Sequence, residues 1–269
     1  SAHILLKPNL ISAKYSFLAC TEGKLILTVA QWLIDHGARV TLGDSPAFGS
    51  ANTALRLLEI DAALAQLGVE IQDFRRGREV KLPGGGKAVL AEAALDCDLL
   101  VNMPRVKAHA QTRLTLAVKN CFGCLVGLHK ASWHMVYGGT NGDFFDRLVE
   151  IPQVLPASLV IVDGVTAMHK TGPITGEPYA LGLLATSTNP VAVDRALHVI
   201  LSIPPMQNPV LDACQQANLP GSRLSSLIFP LLKPQALQVN DFVVPEQLSP
   251  VRFNPFRFMK STVKRLFTP

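Results

Sequence analysis

The residues best suited to chemistry lie between positions 101 and 134, in VNMPRVKAHAQTRLTLAVKNCFGCLVGLHKASWH. Asn102, Arg105, Lys107, Lys119 and Asn120 supply cations and amides there, the side chains that hold a carboxylate or a phosphate. The run Asp98 to Met103 is short, apolar and closed by Pro104, which predicts a buried strand; Gln111 to Val118 then reads as helical. A strand that ends in a polar loop and enters a helix is where open α/β sheets place ligands. The alternative is a solvated basic loop.

Other strand ends converge on the same mouth in this reading. Lys7 and Asn9 follow the strand at 3–6, and Asp163 ends a strand at 158–162. Asp44 and Ser45 sit in GDSPAFG after a strand at 39–42, where backbone amides before the next helix could hold an anion; an ordinary βα turn has the same composition. The glycine- and proline-rich loop from Gly164 to Pro178 could close over the pocket.

Two cysteines and two histidines form the pattern C-x2-C-x4-H-x4-H: Cys121, Cys124, His129 and His134. Two thiolates and two imidazoles could make a tetrahedral zinc site, or the cysteines could hold part of an iron–sulfur cluster. Simple packing of two small thiols is the alternative. Thioredoxin-like redox work is disfavoured, because the pair follows the predicted helix and so meets the end of its dipole that destabilises thiolates. Pro83 to Lys87 (PGGGK) lacks the spacing of a phosphate-binding P-loop and reads as a hairpin turn.

The elements that must position these groups alternate. Beyond those already placed, helices are expected at 24–36, 52–67, 143–155, 190–202 and 209–217, and strands at 69–74 and 181–186, with a hairpin at 79–90. Such alternation predicts an α/β fold: a mainly parallel sheet with helices on both faces in three layers, a small hairpin, and a helix in the C-terminal tail. Residues 1–250 are expected to form one α/β domain and 251–269 a basic amphipathic appendage. In that tail Phe256, Met259, Val263 and Phe267 recur at spacings of three and four, away from Arg257, Lys260 and Lys264. Contact with an anionic membrane or an acidic partner follows, against plain docking on the body.

Composition sets the outer limits. Hydrophobic residues make up 48% and the net charge is +5, an excess the tail alone accounts for, so no nucleic-acid-binding face is expected on the body. Five cysteines are an odd number at low density, which points to a reducing, cytoplasmic compartment, membrane-peripheral if the tail acts as described. No apolar run is long enough to span a bilayer. The chain opens without methionine and goes straight into a strand, which leaves room for a removed targeting segment.

Five blocks in order, KPNL at 7–10, GDSP at 43–46, VNMPRVKAH at 101–109, VKNCFG at 118–123 and DGV…GPITGEP at 163–178, resemble the family catalogued as domain of unknown function 362. That resemblance runs to about residue 204 and implies little biochemistry. Some members add ferredoxin-like iron–sulfur modules, of which this chain has none. His109, Lys119 and His134 also resemble the H-x9-K…H pattern of the lactate-racemase-like nickel-pincer enzymes. That resemblance implies His109 as an acid/base, Lys119 as the tether of a nickel cofactor and His134 as a nickel ligand. KPNL and GDSP stand where that family has other catalytic motifs, so the pocket position carries over and racemisation does not. The expected function is an isomerase- or oxidoreductase-type enzyme that uses a metal-linked cofactor (zinc, nickel or iron–sulfur) on a small anion. The alternative is a non-catalytic ligand-binding or metal-cofactor carrier.

Overall fold

Along the first strand, β1 (His3–Pro8), side chains alternate between the two faces of a sheet, as a repeat of two residues requires. Leu5 belongs to one apolar cluster with Leu100, and Ile4 and Leu6 belong to another with Val101. Lys7 therefore continues the Leu5 face, and Asn102, its partner in register, continues the Leu100 face. Two polar groups are thus delivered side by side at the ends of two parallel strands. The computed structural model describes residues 1–11, 17–46, 49–127, 129–138 and 143–249, so the expected tail helix lies outside the described residues.

In chain order the remaining strands are β2 (Arg39–Asp44), β3 (Glu70–Asp73), β4 (Gly77–Lys81), β5 (Lys87–Ala91), β6 (Leu99–Met103), β7 (Arg105–His109), β8 (Arg113–Thr115), β9 (Ser158–His169), β10 (Glu177–Tyr179) and β11 (Leu183–Ser187). The main sheet runs β3-β2-β1-β6-β9-β7-β8, with β10 and β11 also paired to the long β9. Pairings from β3 through β7 are parallel; β8, β10 and β11 are antiparallel additions. Strands β4 and β5 form the expected separate hairpin.

Helices cover both faces. Apolar residues of α1 (Gly23–Asp35), α2 (Ala51–Leu57) and α3 (Asp61–Gln66) pack with Ile4 and Leu6. On the Leu5 side lie α4 (Glu92–Leu95), α5 (Ala117–Asn120), α6 (His129–Val136), α7 (Phe144–Leu148), α8 (Ile151–Val154) and, further along the chain, α10 (Pro209–Gln216). A third cluster joins α9 (Pro190–Ile200) to Val106, Leu114 and Val162 of the sheet. No helix among the described residues is long and apolar enough to cross a membrane.

Several expected elements are corrected. Residues 111–118 are not one helix: Arg113–Thr115 form β8, which pairs antiparallel with β7, and the helix α5 begins only at Ala117. Pro104 ends β6 as expected, but the chain stays extended beyond it and enters β7, consistent with proline's bias away from the helix. The helix expected over 52–67 breaks at Glu59, whose φ of 59° is left-handed. The segment from Gly164 to Pro178 is not a free lid, because β9 continues to His169 and β10 pairs back on it. The strands expected after residue 204 are 3-10 turns around α10 in the described part of that region.

Candidate functional site

The C-terminal ends of β1, β2 and β6 bring Lys7, Asp44 and Asn102 together, against the 3-10 turn Cys121–Cys124 that follows α5. Lys7 is fully buried, and its ammonium donates to Asp44 Oδ1 (2.9 Å), Pro8 O (3.1 Å) and Asn120 Oδ1 (3.4 Å). Three donors meet three acceptors, so the cost of burying the ammonium is offset locally. Asp44 is equally committed: Oδ1 also accepts from the Ser45 amide (2.8 Å) and Oδ2 from the Leu10 amide (2.9 Å). Gly123 makes the close approach to this pair possible, since a Cβ there would collide with Lys7 Nζ and Asp44 Oδ1.

A directed chain of amides continues from the pair. Lys107 Nζ donates to Asn9 Oδ1 (2.5 Å) and Ala19 O (2.5 Å); Asn9 Nδ2 donates to Asn120 Oδ1 (2.8 Å). Asn120 Nδ2 then donates to Asn102 Oδ1 (2.7 Å), and Asn102 Nδ2 to Ala117 O (3.0 Å). Every link fixes the orientation of the next, and the chain of bonds holds α5 against β1 and β6. Burial pushes the Lys107 amine down to about 7.

Lys119 differs from the other lysines in this cluster. Its Nζ lies 4.5 Å from the centroid of the Phe122 ring, and the residue as a whole is half-buried with its amine desolvated. Burial, and then the charges of Lys130 and Lys7 beside it, push its amine down to about 7. Lys130 reaches across from α6 to donate to the Ser45 carbonyl. Among the described residues Lys7 pairs with Asp44, Lys107 feels the charges of both Lys119 and Asp44, and Lys119 feels that of Lys7, a concentration of amines that suits an incoming anion.

His109 is buried, and its Nδ1 accepts from the amides of Gln111 (3.0 Å) and Thr112 (3.3 Å). Those two bonds put the remaining ring proton on Nε2. Burial, followed by the charges of Lys119 and Lys107, holds its pKa well below the ordinary histidine value. A neutral ring with its lone pair already engaged is a hydrogen-bond donor, so the acid/base role expected for it does not match this geometry. Asp194, missed as a site residue from sequence, accepts from the amides of Ala117 (2.8 Å) and Val118 (3.0 Å), fastening the helix that carries Lys119 to α9. Only its place near the N-terminal end of the helix expected at 190–202 hinted at a role.

Asp163 does not open into the pocket as expected. It is fully buried and accepts from Arg105 Nη1 (3.0 Å) and the Glu22 amide (2.8 Å); Arg105 also donates to Cys20 O (3.1 Å) and Thr166 O (2.5 Å). The pair is a clasp between β7, β9 and the loop before α1.

The expected zinc or iron–sulfur set is not gathered among the described residues. Cys121 and Cys124 are buried, and burial raises both thiols, Cys124 to about 12. Cys121 Sγ instead lies within hydrogen-bond reach of Asn102 Nδ2 (3.4 Å) and Ala117 O (3.5 Å). His129 is exposed, while the His134 ring stacks on Phe144 (4.8 Å) and meets Phe122 edge-on (5.6 Å). Among the described residues no three His, Cys, Asp or Glu side chains gather as a metal set.

A family model described as a domain of unknown function (DUF362) matches residues 4–198. A thylakoid-associated protein of Synechocystis sp. is 35% identical over 266 residues, covering 98% of this chain and 83% of the relative. The lactate racemase apoprotein of Thermoanaerobacterium thermosaccharolyticum aligns with a TM-score of 0.45 at 15% identity, over 60% of this chain and 42% of that one. A Thermotoga maritima protein aligns with a TM-score of 0.43 at 10% identity, over 80% of this chain and 54% of that one. The chain spans about half the length of these two solved structures.

Proposed function

The chain belongs to the family described as domain of unknown function 362, and we propose that it binds a small carboxylate or phosphate at the ends of β1, β2 and β6. The observation that carries this reading is Lys119, a half-buried residue whose amine lies beside Lys7 and Lys130 and rests on the Phe122 ring. The Lys7–Asp44 pair and the amide chain hold it in place, and His109 offers an N–H donor beside it. Among the described residues no carboxylate pairs with Lys119, and an arriving anion would supply that counter-charge.

Proton linkage gives the test. An amine near 7 gains its proton when an anion binds, so affinity is highest below about pH 7 and falls as pH rises, by at most about tenfold per pH unit for each proton taken up. Titration calorimetry with sulfate and oxalate, whose charges are constant over this range, should show that fall. Lys119→Met should weaken binding by roughly tenfold or more, the scale of a lost charge-assisted hydrogen bond. Affinity independent of pH, or unchanged in Lys119→Met, would sink the reading.

A second reading, a lysine-tethered nickel cofactor, is favoured by His134 Nδ1, which is buried without a hydrogen-bond partner. Lys119 and His134 would hold the group, and its metal would accept the free imidazole lone pair. Elemental analysis of protein purified without oxygen should then find nickel that His134→Ala loses. Nickel absent from both proteins returns the site to simple anion binding.

We also infer peripheral contact with an anionic membrane. The Synechocystis relative's name supports it, as do the five cations and no acids in residues 251–269. Truncation after Leu248 should lower co-sedimentation with anionic vesicles, most clearly at low salt; unchanged binding would remove the tail from the contact.

A further inference from the structure

Three strongly exposed aliphatic side chains among the described residues fall within five consecutive positions: Ile228 (89% exposed), Leu231 (90%) and Leu232 (60%). They sit at the tip of an irregular loop, SLIFPLLK (226–233), between the 3-10 turns Leu224–Ser226 and Pro234–Leu237. Both ends are pinned. Ser222 and Pro234 are buried, Gln215 Nε2 donates to Ser222 O (3.2 Å), and Arg223 donates to Asn218 Oδ1 (2.7 Å). Beyond the loop, Val239 donates its amide to Ile200 O (2.7 Å), and both turns pack on α9. The apolar tip is therefore presented by a braced loop, which needs an explanation that a fraying end would not.

We propose that residues 226–233 form an insertion loop that seats its aliphatic tip in the interface of an anionic lipid bilayer. The chemistry favours lipid over protein. The tip is aliphatic and contains Pro230, whereas protein-binding centres concentrate tryptophan, tyrosine and arginine. It is not a strand edge, so it has no ladder to extend. Arg223 and Lys233 flank it, and no acid occurs between Asp212 and Asp241, so the shoulder of the loop complements phosphate headgroups. Apolar side chains below and cations above is the arrangement of interfacial anchors. The inference rests on the membrane reading given above but uses none of the C-terminal residues.

The experiment uses the full chain and vesicles of mixed phosphatidylglycerol and phosphatidylcholine. Ile228→Ser, Leu231→Ser and Leu232→Ser together should reduce the vesicle-bound fraction roughly tenfold, by removing the buried aliphatic carbons, while circular dichroism and Tm stay unchanged because all three sites are solvent-exposed. In Leu231→Trp, tryptophan emission should shift to the blue on vesicle addition and be quenched by brominated lipid. Serine variants that bind as wild type, with no shift in Leu231→Trp, overturn the loop. If truncation after Leu248 abolishes binding and the serine variants do not, the loop falls while membrane contact through the tail stands. If the wild type binds no vesicles, both fall. A wild-type dimer that the serine variants split into monomers makes the loop a self-interface and likewise overturns the proposal.

Discussion

Replacing Arg105 with alanine should cost about 3–5 kcal/mol of unfolding free energy, the range for removing one partner of a buried ion pair. Asp163 would keep its charge in a fully buried position, and the carbonyls of Cys20 and Thr166 would lose their donor. Burial already raises the Asp163 carboxyl above its ordinary value despite Arg105 beside it. Without the guanidinium it should rise further, so the variant binds a proton more readily folded than unfolded. The sign follows: the deficit is largest at neutral pH and shrinks as acidification protonates Asp163. Arg105→Met combined with Asp163→Asn removes both charges and should recover much of the loss. Urea denaturation across pH checks each step. A cost for Arg105→Ala below about 1 kcal/mol, the value of an exposed pair, would show that the clasp does not hold these strands.

Lys7→Met should be comparably damaging, again about 3–5 kcal/mol, because buried Asp44 loses its cation. The more discriminating variant is Lys7→Arg. Gly123 already sits close against the ammonium, and a bulkier planar guanidinium carries its donors in a different geometry, so arginine should not rescue. Lys7→Met with Asp44→Asn neutralises the pair and should regain stability. It should not regain full oxalate affinity, because α5 and Lys119 lose a brace through Asn120. Thermal and urea unfolding, with oxalate titration on the same samples, separate the two effects. Lys7→Arg within about 1 kcal/mol of wild type would mean the ammonium geometry is unimportant.

The positions of the polar groups were legible in the sequence to different degrees. KPNL and VNM each place a polar residue at the end of an apolar run, and the structure sets Lys7 beside Asn102 in register. Lys119 and His109 stood out by type and spacing. Their states did not: His109 is a neutral donor because of two backbone amides in its own turn. Arg105 looked like another pocket cation and is instead spent on Asp163. The C-x2-C-x4-H-x4-H spacing suggested a metal, yet both thiols are buried, His129 is exposed and His134 stacks on Phe144.

Local patterning by itself determined the alternating strands and helices, the hairpin at PGGG and the strip of the chain that carries the site. Apolar runs, helix periods and glycine or proline stops act over a few residues, and those distances are visible in a linear text. Tertiary structure alone decided the partners: Asp44 for Lys7 across 37 positions, Asp163 for Arg105 across 58, and Asn9 for Lys107 across 98. A buried charge or amide accepts whichever complementary group the packed sheet delivers to it. That delivery depends on strand order, register and the burial of everything between, none of which is written in the spacing of the residues concerned.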